Sequence, residues 1–175
     1  ISIAVDIKGG TDSSGDAAED ITIDAGSGAV TVAGIDTGIN DVNLEGATVT
    51  LTGNITTAGD SDNTNTDGVD GAVIITGAAL IEPASGVTIN TSSSDGSVTF
   101  SSTVNSDANK TLTISSGAGA VDFGGIIGGV ADDHLTGLSI NAQGSSTGTG
   151  TIDILQIGDT TGPEYGVVGT VTIGN

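Results

Sequence analysis

Residues 87–127 read VTINTSSSDGSVTFSSTVNSDANKTLTISSGAGAVDFGGII, and this stretch contains one apolar pattern twice. Each copy has a pair of alternating apolar residues, a turn rich in Gly and Ser, and a second apolar group: Val87, Ile89, Val98, Phe100 and Val104 in the first copy, and Leu112, Ile114, Val121, Phe123 and Ile126 in the second. Ile89 and Ile114 are 25 residues apart, and Phe100 and Phe123 are 23 residues apart. Three short strands at such a period are what one coil of a β-solenoid requires.

The apolar pattern recurs on both sides of this stretch. Ile23 and Val30 are seven residues apart around a Gly turn, as are Ile114 and Val121, so we predict that these two segments are equivalent. The recurrences amount to about six or seven coils. We therefore expect residues 1–175 to form a single β-solenoid segment, part of a longer repetitive chain or filament, with residues 1–20 as an irregular or junction region. Within that region, strict alternation predicts a half-buried strand over Ile1, Ile3, Val5 and Ile7.

The predicted fold class is all-β. No helix is expected, because Gly and β-branched residues interrupt every candidate window. The alternative to a solenoid is a β-sandwich repeat of antiparallel strands, which would have longer strands and a bulky aromatic core. Only 2% of the residues are aromatic, which favours the solenoid. The side chains that we expect to face inward are Ile23, Val32, Leu51, Ile89, Phe100, Ile114, Phe123 and Ile140.

The charge balance of the chain is extreme. Two Lys and no Arg face 22 acidic residues, for a formal net charge of -20. Nothing in this composition could neutralise phosphates, so we expect no nucleic-acid partner and no binding to an anionic membrane. No apolar run is long enough for membrane insertion. The acidity indicates either a setting rich in Ca²⁺ or salt or a simple defence against aggregation.

A family resemblance rests on the segment Gly96 to Ala142. There a Val-x-Phe strand, a Gly-rich turn and a Leu-x-Ile strand follow one another, as in Phe123-Gly124-Gly125 and Leu138-Ser139-Ile140. In this pattern the chain, from about Ile21 onward, resembles the β-strand repeats of very large bacterial surface proteins, the filamentous-haemagglutinin-like group. The resemblance implies a right-handed parallel β-helix that is exported to the cell surface and forms an extracellular stalk, fibre or adhesin shaft. It supplies no catalytic residues.

One polar stretch, Ala58 to Gly71, contains the best candidate for a metal site. Oxygen-bearing side chains at every second residue, with a Gly for the sharp turn, approximate the spacing of a Ca²⁺ loop. The candidate ligands are Asp60, Asp62, Asn63, Asn65, Asp67 and Asp70. Two departures from that loop are the Asn at its first ligand position and the lack of a bidentate Glu at its twelfth. The alternative interpretation is an Asx-rich turn that caps its own backbone.

Candidate catalytic residues are few. His134 is the single imidazole, and it follows Asp132 and Asp133, but it has no Cys or second His with which to bind Zn²⁺. No nucleophile-elbow pattern supports a Ser-His-Asp site. The two cations, Lys8 and Lys110, are too few for the charged cleft of a pectin-cleaving β-helix enzyme. We therefore expect no enzyme activity.

The function expected from these features is structural. The chain would be a non-catalytic segment of an exported bacterial cell-surface filament or adhesin shaft, stiffened by stacked β-coils and bridged by cations. Its partners would be other copies or flanking repeats, end to end, and a host surface or extracellular polysaccharide. The alternative is a Ca²⁺-dependent carbohydrate- or protein-binding module on a β-solenoid, in which Tyr165 is the aromatic residue placed to stack on a sugar.

Overall fold

The computed structural model describes residues 1–10, 19–36, 38–59, 71–83, 85–107, 110–129, 134–144, 150–158 and 166–174. Within these ranges every regular element is a β-strand, as predicted. The strands are β1 (Ser2–Ile3), β2 (Glu19–Asp24), β3 (Ala29–Val32), β4 (Ile39–Leu51), β5 (Ile55–Thr56), β6 (Val73–Ile81), β7 (Val87–Asn90), β8 (Val98–Phe100), β9 (Val104–Ser106), β10 (Lys110–Ser115), β11 (Val121–Ile127), β12 (Leu135–Asn141), β13 (Ile152–Ile157) and β14 (Val167–Gly174).

The strands form two sheets in which neighbours come from successive passes of the chain. The larger sheet runs β1-β3-β4-β6-β8-β11-β13, with β2 paired to β4 and β9 paired to β6 and β11. The smaller sheet runs β14-β12-β10-β7-β5. Every pairing among the described strands is parallel. The antiparallel β-sandwich alternative is therefore wrong.

A single column of isoleucines passes through the smaller sheet and continues beyond it. Each member is paired in register with the next: Ile7, Ile35, Ile55, Ile89, Ile114, Ile140 and Ile173. The five inner members are at most 2% exposed, whereas Ile7 is half-buried and Ile173 is exposed. Parallel pairing places equivalent side chains about 4.8 Å apart, so this isoleucine column is a continuous apolar stack.

The larger sheet adds columns of its own to the same core. One of them contains Ile23, Leu44, Ile75, Phe100, Phe123 and Ile154. In it the rings of Phe100 and Phe123 are stacked, with centroids 5.0 Å apart and planes 6° from parallel. Buried residues of both sheets belong to one hydrophobic cluster. The core therefore lies between the two sheets.

The repeat predicted from residues 87–127 is confirmed over most of its length. Ile89 pairs with Ile114, and Phe100 pairs with Phe123. At the far end, however, Val104 pairs with Ile127 and not with the predicted Ile126. The spacing of four residues from Phe100 to Val104 is kept from Phe123 to Ile127, and the side chain of Ile126 is only half-buried.

The predicted equivalence of the segments Ile23–Val30 and Ile114–Val121 is wrong. Ile23 belongs to the column of Phe123, and Val30 pairs with Val49, in a column that leads to Ile127. The seven-residue spacing around a Gly turn occurs at two different corners of the chain path. The first corner lies within the larger sheet, and the second connects the smaller sheet to the larger one.

Seven of the eight predicted core residues are fully buried, and Ile23 packs half-buried against the cluster because β2 lies at a sheet edge. The predicted strand over residues 1–7 is largely wrong. Only Ser2–Ile3 is a strand, and Ile7 makes an isolated bridge to Ile35 in line with the smaller sheet. Between these two contacts the chain turns a corner, which leaves Val5 72% exposed.

Small buried hydroxyl residues close the corner that follows the isoleucine column. Thr57, Thr91 and Ser116 each lie two residues after a column isoleucine and are at most 1% exposed. Their hydroxyls donate to the carbonyls of Gly71, Gly96 and Gly119 at 2.7, 2.6 and 2.8 Å. A buried carbonyl without a partner is costly, so these bonds stabilise the turn out of the smaller sheet.

The isoleucine column generates a first prediction. Truncation of the buried Ile114 to Ala removes apolar contacts with both neighbouring passes, and we expect it to lower the free energy of unfolding by about 3 kcal/mol. The matched control is Ile74→Ala, which truncates the same residue type at a site 39% exposed on the outer face and should cost less than about 1 kcal/mol. Urea denaturation followed by circular dichroism measures both. Equal losses would contradict an inward-facing column.

A second prediction concerns Gly77, which has a φ of 118°. A Cβ there would overlap the carbonyl oxygen of Gly46 on the preceding pass. We expect Gly77→Ala to cost about 3 kcal/mol or more, because strain and overlap add. Gly26→Ala is the control, since Gly26 also has a positive φ, 54°, but its Cβ would meet nothing within 4 Å; it should cost about 1 kcal/mol. Thermal melting compares the two, and similar losses would mean that the close approach is unimportant.

Candidate functional site

The predicted calcium ligands cannot be placed, because Asp60, Asp62, Asn63, Asn65, Asp67 and Asp70 lie outside the described residues. Tyr165, Asp132 and Asp133 also lie outside them. His134 is described and is half-buried, and its backbone carbonyl accepts a hydrogen bond from the hydroxyl of the buried Ser106. In the described ranges, no three His, Cys, Asp or Glu side chains come together as a metal site would require.

The two lysines lie apart and do not define a cleft. Lys8 forms an exposed ion pair with Asp36, with Nζ and Oδ2 3.2 Å apart. Lys110 begins β10 in the smaller sheet. An exposed pair of this kind contributes little to stability. Because the lysines define no site, the polar groups to consider next are those on the outer faces of the two sheets.

The outer face of the larger sheet is acidic. Its strands contain the carboxylates Glu19, Asp20, Asp24, Asp41, Glu45, Asp122 and Asp153. Parallel register places two pairs of like charges directly beside each other, Asp24 with Glu45 and Asp122 with Asp153. Like charges on neighbouring strands destabilise a sheet, and salt or cations relieve the repulsion.

A surface depression of about 410 Å³ interrupts this acidic face beside Asp20 and Asp41. Both carboxylates accept hydrogen bonds from other residues of the chain. Asp20 Oδ1 accepts hydrogen bonds from Asn40 Nδ2 and from the backbone N–H of Asp41, each at 3.2 Å. Asp41 Oδ1 accepts a bond from the N–H of Ala72 at 2.7 Å. These side chains hold the backbone at the start of β4 and β6.

The outer face of the smaller sheet carries hydroxyl and amide groups instead. Its strands contain no carboxylate, and Lys110 is their single charged residue. We call this surface the neutral face; its residues are Asn54, Thr56, Thr88, Asn90, Thr111, Thr113, Ser115, Ser139, Asn141, Thr170 and Thr172. In a chain of net charge -20, this separation of charge between the two sheets is the most distinctive feature of the described surface.

The neutral face is ordered in register. Thr88, Thr113, Ser139 and Thr172 follow one another across β7, β10, β12 and β14. Asn54 extends this column by one pass, because its Oδ1 accepts the backbone N–H of Thr88 at 2.8 Å. The column repeats at about 4.8 Å, the strand spacing of a sheet.

A shallow depression of about 250 Å³ lies within the neutral face. Its floor is β12, where Gly137 has no side chain, and its walls are Thr111 and Thr113 on one side and Thr170 and Thr172 on the other. The walls stand on strands two positions apart, so they are separated by about 10 Å. Ser139 completes the lining.

Comparisons with known proteins provide no relative. No family model matches the chain, and neither the curated proteins nor the solved structures include a match. Among the described residues there is no helix of the length and hydropathy needed to cross a membrane.

Sequence reasoning missed the neutral face. Its local signal is the triplet Thr-x-Thr, at residues 111–113 and 170–172, with an apolar residue in the middle. Alternation alone shows that such threonines point outward. It does not show which strands are neighbours, so the common face became visible only with the strand register.

The acidic face generates a third prediction. Asp122→Asn removes the repulsion between Asp122 and Asp153, and we expect a gain of about 0.5 kcal/mol in the free energy of unfolding at low ionic strength. The gain should vanish at high salt, where the Debye length is short. The control is Asp153→Asn in the Asp122→Asn background. It should add little to the free energy of unfolding, because the repulsion is already removed. Urea denaturation of the four members of this cycle measures the coupling, and additive gains would show that the two carboxylates do not interact.

Proposed function

We propose that the chain is a non-catalytic, structural segment of an exported bacterial cell-surface filament or adhesin shaft, folded as a right-handed parallel β-solenoid of six or seven coils. The observation that carries the proposal is the isoleucine column. Seven successive passes of the chain each contribute one isoleucine to it, in register. Such a column arises when each pass repeats the path of the one before.

The handedness of the proposed solenoid follows from a general rule. Parallel strands in one sheet are joined by right-handed crossovers in nearly all proteins. Here each crossover passes through the other sheet before the chain returns to the next strand. With seven members about 4.8 Å apart, the column is about 29 Å long. The segment is therefore proposed to be a short rod.

The mechanical role is supported by the arrangement of bonds along the rod. Backbone hydrogen bonds between successive passes run along its axis in both sheets, and the apolar columns run parallel to them. Bending the rod would stretch bonds on one side and compress close-packed side chains on the other. Stiffness is what a stalk or shaft needs.

The outermost strands suggest how the rod meets its neighbours. Strands β13 and β14 have exposed apolar side chains at positions that are buried on the preceding pass. Ile157, Val171 and Ile173 are 40%, 41% and 51% exposed. Another coil with the same pattern would cover them and pair with the strand edges. Flanking repeats or other copies, stacked end to end, are the proposed partners.

The acidic surface fits an extracellular setting. Carboxylates along the larger sheet keep neighbouring rods apart unless cations screen or bridge them. Ca²⁺ is the proposed bridging ion, and the loop from Asp60 to Asp70 remains its proposed site. The resemblance to filamentous-haemagglutinin-like repeats supports export to the cell surface, where a host surface or extracellular polysaccharide would be in reach. It rests on the strand and turn pattern alone.

Electron microscopy of the purified chain tests the proposal. We expect rods in the presence of Ca²⁺ that associate end to end, because their terminal strands expose apolar columns. Chelation should shorten or disperse the assemblies if Ca²⁺ bridges them. The control is an Asp67→Asn and Asp70→Asn double variant, which should behave in Ca²⁺ as the wild type does after chelation.

Two outcomes would contradict the proposal. Compact, isometric particles would argue against a rod. Antibodies raised against the chain that label cells of the source organism only after permeabilisation would argue against a surface location. If chelation leaves the assemblies unchanged, the proposed bridging by Ca²⁺ is refuted, but the proposed role as a shaft is not.

A further inference from the structure

The depression in the neutral face is a concave site that is lined by hydroxyl groups and carries no charged side chain. Thr111, Thr170 and Thr172 are exposed, and Thr113 and Ser139 are half-buried. None of these five hydroxyls makes a hydrogen bond to another described residue. They are therefore free to bond to a ligand without breaking bonds within the described part of the chain.

The floor of the depression exists because β12 carries a glycine where its neighbours carry threonines. Gly137 pairs with Thr111 on one side and with Thr170 on the other. Glycine weakens a strand interior and often marks a place where a ligand approaches closely. Leu112 and Leu138, which alternate with the lining residues, are buried beneath it. The sheet is thus packed under the floor of the site and under its β10 wall, whereas Val171, beneath the β14 wall, is 41% exposed.

We propose that this depression binds a neutral sugar residue of a linear polysaccharide. Threonine and serine hydroxyls both donate and accept hydrogen bonds, which matches the hydroxyls of a sugar. The χ1 angles of threonines are restricted, so the walls of the site are preorganised. The site depends only on strands β10, β12 and β14 and does not require the shaft role.

Charge decides against an anionic ligand. A net charge of -20 repels polyanions such as sulfated or uronic-acid polysaccharides at long range. The strands of the smaller sheet add no carboxylate that could attract a polycation. A neutral polymer is the class of ligand that neither sheet repels.

Area decides against a second copy as the occupant. Five strands about 4.8 Å apart and three columns of side chains about 6.7 Å apart give the neutral face an area of about 480 Å². A stable protein–protein interface buries about 800 Å² on each partner. One sugar residue needs far less area, and repeated weak contacts along a polysaccharide would gain strength from multivalency.

The site is tested by titrating the ¹⁵N-labelled chain with cellohexaose, mannohexaose and an alginate hexamer, followed by ¹H–¹⁵N correlation spectra. We expect at least one of the two neutral sugars to shift the amides of residues 111–113, 137–139 and 170–172. The alginate hexamer, a polyanion, should shift none of them.

Three variants locate the binding. Gly137→Thr fills the floor with a residue suited to a strand, and its Cβ would lie 3.2 Å from Thr111 Cγ2, a methyl group that can move. We expect it to weaken binding at least ten-fold while the rest of the spectrum is unchanged. Thr113→Val and Thr172→Val each remove one hydroxyl and should weaken binding about five-fold. Thr22→Val, on the acidic face, is the matched control and should have no effect.

Several results would overturn the site. These are the absence of shifts with both neutral sugars, equal shifts with alginate, or unchanged binding by Gly137→Thr. If the threonine columns instead ordered water at an ice surface, Gly137→Thr would complete a column and increase ice shaping. That outcome would also refute the sugar site. None of these results bears on the rods expected in electron microscopy, so the two proposals fail independently.

Discussion

In-register parallel pairing is the constraint on which the rest of this structure depends. In a parallel ladder each side chain meets the side chains at the same position on the passes before and after it. An inward position must therefore be apolar on every pass, and the column from Ile7 to Ile173 satisfies this with one residue type. The stacked rings of Phe100 and Phe123 show the same matching in the larger sheet. Corner hydroxyls such as that of Thr91 then satisfy the backbone groups where the ladders end.

Parts of the fold could be predicted where equivalent residues of successive passes recur at a constant spacing in the sequence. Where that spacing varies, only the strand register shows which residues are equivalent. The pairing of Ile89 with Ile114 could be predicted, because two different pairs of equivalent residues have nearly the same spacing. Ile89 and Ile114 are 25 residues apart, and Phe100 and Phe123 are 23 residues apart. Elsewhere the distance between column members varies, from 20 residues for Ile35 to Ile55 to 34 for Ile55 to Ile89. Local spacing then misleads, and Ile23 was assigned to the wrong corner because two corners share a seven-residue turn. The one-residue error at Ile126 has a similar cause, since Ile126 and Ile127 are equally apolar and packing alone distinguishes them.

The candidate sites also have features that the sequence shows and features that only the strand register shows. The acidic character of the chain is plain from its composition, but the direct pairing of Asp122 with Asp153 requires the register. The depression over Gly137 depends on three strands that are distant in sequence and adjacent in space. A glycine in a strand looks like a defect when one strand is considered alone. Between two threonine-bearing neighbours it becomes a recess. Charge separation between the two sheets likewise becomes visible only once each strand is assigned to its sheet.

The equivalence of successive passes also bears on how such a chain could have grown. Because each pass offers its neighbour the same columns that it received, a duplicated stretch of gene that encodes one whole pass would insert a new layer with its core already matched. No compensating change would be needed in the layers on either side. Under such growth, differences such as Ala142, which occupies a corner where Thr91 and Ser116 bear hydroxyls, would be changes made after copying. Length would evolve in whole layers, and sequence would diverge fastest at the outward positions that give each face its chemistry.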